Sequence, residues 1–127
     1  MGKTVVRTEA APAPFQGAPY NQAIRIGDLV FVAGQLGLKP GDQAVEGDIA
    51  EQTEQVMRNL GAILEEAGSS LANLVKTTVY LVDLGDFAAM NEVYAQHVGD
   101  RPPARATIGV AQLPSGALVE IEAVAHV

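Results

Sequence analysis

Apolar positions along the chain first recur at every second residue, switch to a helical spacing at Ile49, and later return to alternation. The opening KTVVRT reads as a short β-rich piece. EAAPAPFQGAPY, with three prolines and a glycine, reads as an irregular surface loop that ends in Tyr20. NQAIRIGDLVFVAGQLGL predicts a hairpin, in which Ile24 and Ile26 alternate with Arg25, Gly27-Asp28 turns, and LVFVAG returns as a buried strand. KPGDQAVEGD is a turn-rich connection. From Ile49, the residues Val56, Met57, Leu60, Ile63, Leu64 and Ala67 fall on one helical stripe with Thr53 filling the gap. Asp48 followed by Glu51 is an N-cap signature, and Gly68 is the expected stop.

NLVKTTVYLVDL follows as a strand with Val75, Thr77, Val79 and Leu81 on one side. A second helix is predicted from about Asp86 to Val98, striped by Phe87, Met90, Tyr94 and Val98 and closed by Gly99. The chain finishes with a strand holding Arg105, a Leu-Pro-Ser-Gly turn, and ALVEIEAVAHV. The order β-β-β-α-β-α-β-β predicts an α+β layer, one sheet with both helices packed on one face. With no linker, repeat or low-complexity tract in view, residues 1–127 are expected to form a single domain.

The two final strands raise a question of placement. Ala104, Ala106, Ile108 and Val110 share one side of their strand, and Arg105 and Thr107 share the other. In the last strand Val119, Ile121, Ala123 and Ala125 are expected to face the helices, leaving Glu120, Glu122, Val124 and His126 on the far face. Arg105 and Thr107 are expected on that far face as well. A sheet face mixing Val and Phe with a few charges suits water poorly, and burial against other copies of the chain is the simplest remedy. Taken alone, a strand arginine facing two glutamates reads as an ion pair or a solvated edge. Tyr20 reads as a packing residue, Asn91 as a partner for a loop backbone, and Gly34 as a bulge.

A hydrophobic share of 48% over 127 residues supports a real core, and zero cysteines exclude a disulfide framework, a thiol nucleophile and a thiolate metal site. A cytoplasmic location is expected, because the apolar runs are too short to span a bilayer and no signal segment opens the chain. Eight Lys and Arg against fifteen Asp and Glu, a net charge of −7, disfavour a nucleic-acid partner. His97 and His126 have no ligand-like spacing, so no metal site is expected. Neither a phosphate-binding glycine loop nor a G-x-S-x-G elbow is present.

Several co-linear motifs then read together. RPPARATIGVAQLPSGALVEIEAVA strongly resembles the carboxy-terminal signature of the RidA family, also called YjgF or L-PSP. APYNQAIRIGDLVFVAGQLGL is similar to its amino-terminal G-P-Y-x-Q and S-G-Q segments, and VKTTVYLVDLGDFAAMNEVY to its central segment. The resemblance covers nearly the whole chain. It implies a chorismate-mutase-like α+β fold, a homotrimer with sites between subunits, and no cofactor or metal. It also implies an activity, the hydrolysis of enamines and imines such as 2-aminoacrylate to 2-oxo acids and ammonia, that of a 2-iminobutanoate/2-iminopropanoate deaminase.

Carried over residue by residue, the resemblance makes Arg105 the clamp on the substrate carboxylate. Glu120 and the Thr107 backbone carbonyl would then position the attacking water. Tyr20, Ala33, Gly34 and Asn91 match cleft positions that touch substrate. Ala33 departs from the serine of many members and puts fine substrate preference in doubt, while Thr107 replaces a cysteine found in some. The alternatives are a non-catalytic ligand-binding or chaperone-like protein and, with less support, an endoribonuclease.

Overall fold

The computed structural model describes residues 2–127. Six strands form one sheet in the order β1-β2-β3-β6-β4-β5, where β1 is Thr4–Val6, β2 Ala23–Ile26, β3 Leu29–Leu36, β4 Leu74–Leu81, β5 Ala104–Gly109 and β6 Val119–His126. Every neighbouring pair is antiparallel except β4 with β5, which are parallel and joined through helix α2, Phe87–Val98. Helix α1, Ile49–Glu66, crosses from β3 to β4, and both helices lie on the same face. The expected hairpin is present, with Ile26 paired to Leu29 across Gly27 and Asp28.

Helix α1 forms where its pattern predicts. Asp48 accepts from the Glu51 amide while the Glu51 carboxylate accepts from the Asp48 amide, so two otherwise orphaned donors are satisfied. Val56, Met57, Leu60, Ile63 and Leu64 are fully buried against the sheet. At roughly 1.5–3 kcal/mol for each large apolar side chain, this stripe is the main reason the helix docks. Two buried amides on the same helix shape the loops beyond. Asn59 donates to the carbonyls of Leu36 and Leu38, and Gln52 bridges the Gly47 carbonyl and the Leu118 amide. Gly37 allows this approach, because a β-carbon there would stand 2.8 Å from the Gln52 backbone.

Three expectations are corrected. Val75 does not join the core stripe of β4. One extra residue between Leu74 and Lys76 makes a bulge against β6, so Leu74 takes the core position and Val75 turns outward. Phe87 is 44% exposed, so the buried stripe of α2 is Met90, Tyr94 and Val98 alone. Arg105 and Thr107 lie on the helix face, not beside the glutamates. They pair in register with Thr77 and Val79, which in turn pair with the core residues Ala123 and Ile121. Paired residues share a face, so the small apolar residues Ala104, Ala106 and Ile108 occupy the open face instead.

Candidate functional site

A pocket of about 360 Å³ opens on the uncovered face of the sheet, between the Pro-rich loop, the end of β3 and β6. Tyr20, Ala33, Gly34 and Glu120 line it together, and Phe15, Leu38 and Pro114 make its apolar wall. One side chain makes four hydrogen bonds to the loop. Buried Gln22 donates to the carbonyls of Thr8, Ala11 and Pro12 and accepts from the Thr8 amide. Nearer the pocket, the Tyr20 hydroxyl accepts from the Phe15 amide at 2.6 Å. A bulge falls in β3 between Val32 and Gln35, where three steps on that strand oppose two on β6. It places Gly34 directly beneath the Glu120 side chain, and a β-carbon at Gly34 would stand 2.8 Å from that carboxyl group.

Burial raises the Glu120 carboxyl above the ordinary carboxylate range, and the negative charge of Glu122 raises it further. Glu122 accepts from the Tyr80 hydroxyl, an interaction that raises the phenol in turn. Among the described residues Glu120 makes no ion pair.

Arg105 stands on the other side of the sheet. Its guanidinium carbon is 4.9 Å from the centre of the Tyr94 ring and 5.5 Å from that of Phe87. No carboxylate among the described residues pairs with it. Asn91 falls four residues after Phe87 and three before Tyr94 on α2. Its Oδ1 is the single buried side-chain oxygen or nitrogen among the described residues with no hydrogen-bond partner. Strand β5 is an edge strand, and Val110 donates to the Leu81 carbonyl. Alternation along a parallel ladder then turns the backbone groups of Arg105 and Thr107 toward the free edge.

The seven residues singled out in the sequence thus fall into two groups. Tyr20, Ala33, Gly34 and Glu120 meet in the open-face pocket, whereas Arg105 and Thr107 lie on the helix-side face of the edge strand β5 and Asn91 lies on α2. The expected pairing of Arg105 with the glutamates is absent, since the sheet separates them. Sequence reasoning missed Phe87 and Tyr94 as covers for Arg105, and Gln22 as the anchor of the loop. Aromatic residues seven apart on a helix, flanking an asparagine, were the available signal for the first.

A family model described as Endoribonuclease L-PSP matches residues 8–127. A human protein named 2-iminobutanoate/2-iminopropanoate deaminase is 43% identical over 124 residues, covering 97% of this chain and 89% of its own length. Among solved structures, RidA from the Antarctic bacterium Psychrobacter sp. PAMC 21119 superposes with a TM-score of 0.93 at 41% identity, covering 98% of this chain and 99% of its own. Escherichia coli TdcF with bound serine superposes with a TM-score of 0.90 at 35% identity, covering 98% of both chains.

Proposed function

The chain belongs to the L-PSP family, which includes RidA, and from that membership we propose that it is a hydrolytic deaminase of 2-imino acids and their enamine tautomers. The observation that carries this proposal is Arg105. A guanidinium held by two rings and paired with no resident carboxylate keeps its parallel donors free for the carboxylate of a small acid. The serine bound to the related TdcF is such an acid.

In this proposal the working unit is a homotrimer. Glu120 and Arg105 face opposite sides of one sheet, so a complete site needs Glu120 from one copy and Arg105 from its neighbour. The open face suits such an assembly, because Val5, Ile26, Leu29, Phe31 and Ile108 are each more than 40% exposed there. Monomers rarely leave so continuous an apolar face bare. The β5 edge, with the Thr107 carbonyl turned outward, would lie along the neighbour's pocket.

The chemistry then follows from placement. An enamine such as 2-aminoacrylate tautomerises to the imine, and Arg105 grips its carboxylate so that C2 sits beside a water held by Glu120 and the Thr107 carbonyl. Glu120 takes a proton from the water as its oxygen bonds to C2 and passes that proton to the imine nitrogen, giving a neutral carbinolamine. It then takes the hydroxyl proton as the C=O bond forms and gives it to the amino nitrogen as the C–N bond breaks, leaving the 2-oxo acid and ammonia. An imine is already electrophilic, so orientation and one group that both accepts and donates a proton suffice. The raised carboxyl of Glu120 fits that double duty. Ala33, lining the pocket beside Gly34, brings no hydroxyl to the substrate.

Ribonuclease chemistry, named in the family description, has less support. The chain carries a net charge of −7, and His97 is tied to Glu54 on the helix layer while His126 alternates onto the open face. No histidine pair meets for acid–base work, and no basic track invites a phosphate backbone. A trapping assay tests the deaminase. An amino-acid oxidase generates the 2-imino acid in the presence of semicarbazide, and semicarbazone formation is followed. Wild type should suppress trapping and Arg105→Ala should not. If wild type leaves trapping unchanged across a panel of amino acids, the deaminase is excluded and ligand binding without turnover takes its place.

A further inference from the structure

We infer that Phe87 and Tyr94 are positioning residues that hold the Arg105 guanidinium flat and ready, with Thr77 fixing Tyr94 from behind. This rests on the proposal that Arg105 grips the substrate carboxylate. An arginine that must receive an incoming carboxylate faces a conflict. A resident carboxylate would fix the long side chain but would occupy the same donors the substrate needs. A bare, solvated side chain would keep its donors free but would have to be ordered at each binding event. Aromatic faces resolve the conflict, because they attract the cation through its flat face and leave the N–H groups in the guanidinium plane unengaged.

The geometry fits that purpose at three points. Phe87 and Tyr94 are seven residues apart on α2, two turns along one side of the helix, and both rings lie within cation–π range of Arg105 at 5.5 and 4.9 Å. Tyr94 is buried, and its hydroxyl and that of Thr77 are 2.7 Å apart in a fully interior hydrogen bond. Thr77 is also the register partner of Arg105 across the parallel β4–β5 pair. Backbone register, hydroxyl pair and ring contact therefore close a triangle of Thr77, Tyr94 and Arg105. Phe87 completes the cover from the exposed side, being itself 44% exposed.

The test is steady-state deamination in the trapping assay with 2-iminopropanoate as substrate. Phe87→Leu and Tyr94→Leu should raise KM by roughly 2- to 30-fold, the worth of a cation–π contact, with a smaller effect on kcat. Tyr94→Phe keeps the ring and should hold KM within about 3-fold of wild type, the rescue that distinguishes the ring from the hydroxyl. In the Arg105→Ala background Phe87→Leu should add no further loss, since its effect runs through the arginine. Phe87 is half exposed, so its leucine variant tests the idea even if Tyr94→Leu does not fold. A Phe87→Leu protein with wild-type helicity, wild-type mass in solution and unchanged KM overturns the platform. Additive losses in the double variant overturn it too. If wild type itself shows no turnover, the failure lies with the deaminase proposal and removes this inference along with it.

Discussion

Glu120 and Arg105 stand two strands apart in the same sheet, and the chain holds them by opposite means. The carboxyl is placed by removing material. A glycine and a bulge clear space beneath it, an apolar wall strips its water, and a neighbouring carboxylate pushes its proton affinity up. The guanidinium is placed by adding material, two rings of a helix within cation–π range and no counter-charge among the described residues. The difference follows from the task proposed for each. A proton carrier gains from desolvation because its neutral form becomes accessible, whereas an anion clamp must remain charged and merely needs orienting. The sheet between them means that neither half acts on its partner within one copy.

The sharpest way to break this comparison is to separate the halves between chains. Arg105→Ala and Glu120→Gln should each lower kcat/KM by about 100-fold or more. Co-expressed, the two variants should recover about a quarter of wild-type activity, because in mixed trimers that fraction of cyclic interfaces joins an intact arginine to an intact glutamate. Recovery of nothing, with mixed trimers verified by mass, would place both residues in one subunit's site or in none.

Gly34→Ala comes next. Its β-carbon would collide with the Glu120 carboxyl and shift it by about an ångström, which should lower kcat by about 10- to 100-fold while circular dichroism stays that of wild type. A smaller and directional effect is expected from Glu122→Gln. Removing the like charge lowers the Glu120 carboxyl toward its ordinary value, so the acid limb of the pH–rate profile should move to lower pH. The stability side carries a defined sign. Folding raises this carboxyl, so its contribution to stability is present below the ordinary glutamate range and is lost as pH rises through the raised value. Urea titrations across that window should show a gentler decline for Glu122→Gln. The least effect on activity belongs to Asp48→Ala, far from both halves. Loss of the capping box should cost about 1 kcal/mol of stability by urea unfolding with kcat and KM unchanged.

Much of the architecture is legible in the chain itself. The stripe from Ile49 to Ala67, its Asp48–Glu51 cap and its glycine stop specify α1 locally, since helix period and capping depend on residues only three or four apart. The hairpin turn, the alternation of β6 and the segments that identify the family are local in the same sense. Gly34 could be flagged as a bulge from sequence, yet its purpose, clearing the Glu120 carboxyl, required knowing which strand lies beside it. Gln22 gave no signal, because its four bonds reach backbone groups ten or more residues away.

Arg105 marks the boundary most clearly. Alternation establishes that Arg105 and Thr107 share one side and Ala104, Ala106 and Ile108 the other, and nothing in a period of two says which side meets the helices. Apolarity argued for placing the alanines inward, and the fold does the reverse. Strand β5 pairs in parallel at the sheet edge, and its register with Thr77 and Val79 turns the arginine under α2, where Phe87 and Tyr94 supply an apolar surface that tolerates a cation. Local order decides the elements. Strand pairing and the helix laid across it decide which face a charge occupies, and with it the separation of the two groups on which the proposed chemistry depends.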